Sequence, residues 1–407
     1  MTEVLRHAFM LLALVSSACV FGPGETVAPD AVGSDTSPAE VIAVFDRLPE
    51  PSDRPPFPTP QVELVRSGDL MVPPGFIAER LLRDGALEHP TSLSFAPDGS
   101  LTVALQGGAV ASVDARTGET RELARGFKLP LGILWALGSL YVSDDGTVWR
   151  LRDGSRTAIV TGIPTLQHQT DGLALGPDGR IYLGVGATCN ACNEKDPRSA
   201  SIVRFSPEGG QVEVFARGFR NPYDLAFNPA DGSLWATDNG RDDLGTQVPD
   251  ELNLVQQGKH YGWPDCSGRG RGSNCSGTVR AVLELEANSS SDGLAFYDFP
   301  SRRPQEGAGG HDFPSRPAPE GARGPTGFPA EYRGNAFIAQ WGSFRRTRGR
   351  QLVRVVLVKR EGRYAARETV FATGFDAPLD VVVGPADGAL YVADHGRGTI
   401  YRIRWQG

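Results

Sequence analysis

Three clusters in the 407-residue chain hold side chains whose types and spacing could do chemistry. His168 lies in the stretch LQHQTDGLALGPDG that begins at Leu166. A neutral imidazole can take a hydroxyl proton near neutral pH, the role wanted for oxidising an alcohol or hemiacetal. The plain alternative is a solvated loop histidine. The second cluster, Arg220-Asn221-Pro222, offers the fixed donor fork of a guanidinium to an anionic or quinone oxygen, or simply caps a turn. The third runs from Asp238 through Asn239, Gly240, Arg241 and Asp242 to Asp243, with Asp250-Glu251 close behind. That density of oxygen ligands suits a hard cation, calcium above all, although the spacing is not that of an EF-hand. Its alternative is an acidic surface loop. Tyr261-Gly262-Trp263-Pro264 follows and reads as a structural aromatic plug.

The elements that must position these residues show in the chain's self-similarity. A refrain of a short apolar strand, a Pro-Asp-Gly or Gly turn and a second alternating strand starts at 90, 130, 170, 222, 291 and 378. Six copies, the first two steps of 40 residues, indicate four strands per unit and an all-β, six-bladed β-propeller of four-stranded antiparallel blades. The later, longer steps are insertions, which in repeat proteins carry function on one face. In a propeller, the crossings into each inner strand and the turns between second and third strands share the face around the channel mouth. Spacing alone thus converges His89, Lys128, His168, Arg220, Asn221 and Asp376 with Gln106, Asp144, Asp145, Asp238 to Arg241, Trp341 to Arg346, Asp394 and His395 on one funnel. Phe76 to Leu82 reads equally as a short helix or a strand.

Composition narrows the class. Fifty Gly and 31 Pro suit a large β unit, and a net charge of −7 without a long basic cluster argues against nucleic acid. Arg6 and His7, the apolar run Ala8 to Val15 and small residues up to Cys19 read as a signal peptide. Leu14 to Cys19 resembles a lipobox, so Cys19 is a candidate lipid anchor on an exported, periplasmic or cell-surface protein. Residues 20–63 read as a flexible tether and 64–407 as the propeller. Four cysteines remain, and the local pairings Cys189 with Cys192 and Cys266 with Cys275 are preferred over a zinc site.

Together these pieces resemble the glucose/sorbosone dehydrogenases, soluble quinoprotein sugar dehydrogenases that bind pyrroloquinoline quinone (PQQ) in a six-bladed propeller. The motifs HQTDGLALGPDG, RNPYDLAFNP and DEL-N followed by YGWP carry the resemblance, which runs from about Val72 to Trp405, closest to the sorbosone branch. It implies His168 as general base and Arg220, with Asn221, at the quinone carbonyls. It further implies Gly240 and Arg241 as carbonyl ligands of the calcium beneath the cofactor, and Glu251 and Tyr261 as ligands of a structural calcium. The implied activity is oxidation of an aldose or sorbosone-like sugar by hydride transfer to PQQ, with a cytochrome or another periplasmic carrier as electron acceptor. This chain departs from the family where arginines clamp the cofactor's carboxylates: the stretch reads Asp376-Ala377-Pro378-Leu379, leaving Lys128 and Arg345 or Arg346 as substitutes. Two other readings stand beside this one. One is a non-catalytic, calcium-stabilised propeller binding a glycan or protein. The other is a calcium-dependent lactonase-type hydrolase, which would want inward-facing carboxylates on at least three inner strands.

Overall fold

A computed structural model describes residues 62–298, 327–343 and 349–407. Cys19, Arg345, Arg346 and the Arg- and Pro-rich segment 300–325 therefore lie outside the described residues. Six antiparallel sheets form a ring. Their inner strands are Pro90–Phe95 in blade 1, Pro130–Ala136 in blade 2, Thr170–Leu175 in blade 3, Leu225–Phe227 in blade 4, Ser291–Phe296 in blade 5 and Pro378–Val383 in blade 6. Each repeat begins where the refrain places it, except that in blade 4 regular pairing starts three residues after Pro222. Proline fits at the first residue of an inner strand because no ladder hydrogen bond from its nitrogen is needed there.

The tight turns follow from local chemistry. In blade 1, Asp98 accepts a hydrogen bond from the Ser100 N–H (2.9 Å), while Gly99 takes a φ of +84° that a side chain would resist. Alternating strands then bury Leu, Val, Ile and aromatic side chains between adjacent sheets, so that Tyr141 and Val148 of blade 2 join Leu173, Ile181 and Phe205 of blade 3 in one core. The stretch Phe76–Arg80 is a strand, not a helix. It pairs with Thr399–Trp405 as the outermost strand of blade 6, so the ring is closed by residues from both ends of the described chain. Closure removes an exposed sheet edge. Phe76 anchors it edge-on against Phe328, Tyr332, Phe371 and Trp405, with ring centroids 4.7–5.3 Å apart. The preceding hairpin, Val65–Ser67 with Leu70–Val72, extends the outer edge of blade 5.

Two long connections shape the funnel. In blade 3, residues 186–200 link the second and third strands on the mouth side and hold the Cys189–Cys192 disulfide. In blade 4, residues 256–282 leave the third strand, run beside Arg217 to Phe219 and carry Tyr261, Trp263 and the Cys266–Cys275 disulfide. Both pairings are the local ones expected from spacing. The zinc alternative is overturned: the trio Cys189, Cys192 and Glu194 lies close together, but its sulfurs are spent in a disulfide and Glu194 accepts from Thr188.

Candidate active site and metal-binding cavity

His168 stands just before the blade 3 inner strand, its Nδ1 2.8 Å from the Ala187 carbonyl oxygen. A carbonyl can only accept, so Nδ1 carries the proton and Nε2 keeps its lone pair. Burial, and after it the positive charge of Arg220, hold the imidazole well below its ordinary value, down to about 3. The ring is thus neutral across the physiological range, with its basic nitrogen fixed as Nε2.

Arg220 occupies the equivalent position one blade on and is only 4 % exposed. Its Nε donates to Asn190 Oδ1 (2.9 Å), Nη1 to the Asn239 carbonyl (3.1 Å), and Nη2 to Asp242. Three of five guanidinium N–H groups are thereby committed, and two remain to be offered. The backbone N–H groups of Arg220 and Asn221 both donate to Asp238, which pins this corner to the second strand of its own blade. Asn221 Oδ1 is buried without a partner, as are Gln169 Oε1 beside His168 and Asn239 Oδ1. Orphaned acceptors of this kind are uncommon in a folded interior and cluster here around the same mouth.

A cavity of about 630 Å³ is lined by Arg220, Asp238, Gly240, Arg241, Glu251 and Tyr261 among others. Asp238 and Glu251 are directly paired across neighbouring strands. Burial, then the opposing Glu251 charge, raises Asp238 well above the carboxylate range, and burial pushes Glu251 up to about 7. Glu251 accepts from Gly268 N–H and Asn253 Nδ2, while Asn253 Oδ1 is another buried orphan. Two buried carboxylates facing each other, with an unpaired amide oxygen alongside, fit a hard cation, which would relieve their repulsion. Gly240 donates its N–H to Asp250 (3.0 Å) and lines the cavity with Arg241. The Tyr261 hydroxyl is already taken, donating to the Leu254 carbonyl and accepting from Gln256 N–H, while its ring stacks on Phe219. Any ligand from Tyr261 must therefore be its main chain.

The remaining sequence candidates separate. Lys128 reaches Asp145 (3.1 Å) with its side chain 77 % exposed, at the blade 1 to blade 2 crossing. Asp376 holds Arg350 (2.6 Å) at the far side of the funnel. His89 and His395 lie against each other there, ring centroids 4.7 Å apart and planes tilted by 31°, and His395 Nε2 meets Gln106 (2.8 Å).

The axial pore holds carboxylates to which the sequence motifs attach no role. Asp171, Asp292 and Asp380 sit on inner strands and Asp224 directly precedes one, which reaches the count a lactonase-type hydrolase would want. Two of the four are structural ties. Asp224 accepts from Leu225 and, across the blade boundary, Leu294 N–H (2.8 and 2.7 Å), and Asp380 does the same with Val381 and Leu93 (2.7 and 2.6 Å). Asp292 accepts from Asn239 Nδ2 (2.8 Å). Among the described residues, no three of these carboxylates bring ligand oxygens within 4.8 Å of one another. The blades can approach so closely because the neighbouring positions are glycine: a Cβ on Gly172 would lie 2.3 Å from Asp224 Oδ1, and one on Gly132 2.2 Å from the Asp171 carbonyl oxygen. The signal was in the refrain, as the aspartates of TDGL, PYDL, SDGL and PLDV.

The site thus combines a six-bladed ring, a neutral histidine and a buried arginine on adjacent blades, and a carboxylate-lined cavity that the arginine helps to wall. Residues 155–298 match the family model described as Glucose / Sorbosone dehydrogenase, which bears out the resemblance seen in the sequence. The chain is 26 % identical over 291 residues to the aldose sugar dehydrogenase YliI of Escherichia coli K12, covering 57 % of this chain and 76 % of that one. By fold it is similar to the soluble aldose sugar dehydrogenase of Escherichia coli in the apo form (TM-score 0.57, 19 % identity, 81 % and 99 % of the two chains). It is likewise similar to the holo PQQ domain of pyranose dehydrogenase from Coprinopsis cinerea (TM-score 0.65, 17 % identity, 85 % and 98 %).

Proposed function

We propose that this chain is a PQQ- and calcium-dependent oxidoreductase that oxidises an aldose or a related carbonyl sugar. The observation that carries the reading is the fixed tautomer of His168: an unprotonated Nε2 on the funnel wall, one blade from the Arg220 guanidinium. In this reading His168 Nε2 takes the proton of the substrate hydroxyl. Arg220, with its two uncommitted N–H groups, and Asn221 hold the quinone end of the cofactor, and Arg220 stabilises the negative charge that develops there. A bound PQQ would supply the acceptor for the hydride leaving the same carbon. Asp238 and Glu251, with the main chain at Tyr261, hold a structural calcium, and Gly240 and Arg241 offer carbonyls to a second. Electrons leave to a one-electron carrier such as a cytochrome, and the N-terminal segment directs export and lipid attachment at Cys19.

The pore carboxylates are the observation that would favour a hydrolase. Because Asp224 and Asp380 are consumed as ties between blades, the oxidoreductase reading accounts for more of the site. The test is titration of the apoprotein with PQQ and calcium, followed by dye reduction with aldoses. Micromolar binding and turnover, with turnover abolished in His168→Ala, are expected. Absence of any spectral or calorimetric PQQ binding refutes the enzyme reading and leaves the binding propeller.

A further inference from the structure

We propose that Asn190, at the tip of the Cys189–Cys192 loop, is a positioning residue that fixes the orientation of the Arg220 guanidinium. The inference rests on the reading of Arg220 as the group that meets the quinone end of the cofactor. Asn190 Oδ1 accepts from Arg220 Nε (2.9 Å) and Asn190 Nδ2 donates to Asp243 Oδ1 (2.7 Å). Arginine offers only donors and a carboxylate only acceptors, so these two partners force one amide orientation. The main chain is held as firmly, for the Asn190 carbonyl accepts from Trp263 Nε1 (3.0 Å).

The loop is built to hold that amide still. The disulfide closes it across three positions, and the buried Trp263 packs against both cysteines together with Ala187 and Ala200. Glu194 closes its flank by accepting from Thr188 N and Oγ1 (2.6 and 2.7 Å). The other side-chain partner of Arg220, Asp242, is 63 % exposed and belongs to the acidic turn at the rim. Asn190 is therefore the side-chain contact with a rigid frame, and it engages Nε, the atom that sets the plane of the fork. A planar, directional donor group keeps its value only while its plane is held, since small misplacements of a positioned group reduce binding and rate steeply. The insertion that carries Asn190 thus extends the site from blade 3 to the arginine of blade 4.

The experiment compares wild type with Asn190→Ala, with Asn190→Asp combined with Asp243→Asn, and with Cys189→Ser combined with Cys192→Ser. Two readouts are taken: the PQQ dissociation constant in saturating calcium, and the solvent exchange of the Arg220 Nε–H in ¹⁵N-arginine-labelled apoprotein. Asn190→Ala is expected to weaken PQQ binding at least tenfold and expose the Nε–H, with the thermal midpoint little changed. The exchanged pair keeps an acceptor on Nε and restores the bond between positions 190 and 243, so it should return both readouts to within about threefold of wild type. The serine pair leaves Asn190 in place while freeing its frame, and should speed Nε–H exchange even if the alanine variant does not fold. Unchanged Nε–H exchange in both the alanine and serine variants, or equal loss in the alanine and exchanged variants, overturns the proposal. If wild type itself binds no PQQ, the functional reading fails, while Nε–H exchange still decides the role of Asn190.

Discussion

The protonation of His168 offers the sharpest test, because it can be measured without cofactor or substrate. Its imidazole is held at about 3 instead of the ordinary 6.5, first by burial and then by Arg220. At 1.36 kcal/mol per tenfold change, that interval amounts to about 5 kcal/mol against the imidazolium. The sign follows from linkage. Below pH 6.5 the unfolded chain binds a proton that the folded ring refuses until about 3, so this group's contribution to stability is complete above 6.5 and is lost as pH falls through that window. The chain has six histidines, few enough to resolve by ¹³Cε1 labelling, with His168→Gln supplying the assignment. The His168 resonance should not move between pH 8 and pH 5 and should show the Nδ1–H tautomer. Arg220→Gln removes the charge but not the burial, so the midpoint should rise while remaining below 6.5. A wild-type midpoint near 6.5, or an Nε2–H tautomer, would refute the assignment of His168 as a pre-set base.

Other consequences can be checked on the same protein. Phe76→Ala empties the aromatic cluster at the ring closure and should cost about 3–5 kcal/mol in chemical denaturation; a loss under 1 kcal/mol would mean that closure does not depend on this anchor. Asp224→Ala leaves the Leu225 and Leu294 N–H groups without their acceptor, at about 1–3 kcal/mol each, and the loss should appear in thermal unfolding with or without calcium. Millimolar calcium should raise the thermal midpoint more at pH 8 than at pH 5, because Glu251, pushed up to about 7, is protonated at the lower pH and must release its proton to bind. Glu251→Gln should abolish most of that increment, and an increment independent of pH would contradict the assignment.

The ring and its six inner strands were legible because a propeller repeats its turn chemistry: Pro-Asp-Gly and its variants recur at a fixed offset from an apolar strand. The funnel was legible for the same reason, since position in the repeat decides which loops share a face. The outer strand Phe76–Arg80 stayed ambiguous because its fit depends on Thr399–Trp405, and no local pattern announces a partner so distant in the chain. Asn190 was hidden differently. Within CNAC it looks like filler between two cysteines, and only the packing of Trp263 turns it toward Arg220. Tyr261 shows the opposite limit: it lines the cavity, but the chemistry of its hydroxyl is spent on the Leu254 carbonyl. Lys128 was drawn to the funnel by spacing, and its long, solvated stem let it settle on Asp145.

The closure of blade 6 bears on how the molecule comes to be folded. Glu79 and Arg404 form an ion pair across 325 positions, so the first strand of that blade to be synthesised waits for the last. Loop-closure entropy grows only slowly with length, and the thermodynamic penalty for so distant a pairing is modest. The kinetic consequence is larger, because contacts of such high sequence separation form late. Until Thr399–Trp405 has been synthesised, blade 6 lacks the strand on which Phe76–Arg80 pairs. The pairing of Phe76–Arg80 with Thr399–Trp405 thus makes blade 6 a blade that cannot be finished until both of these distant strands exist.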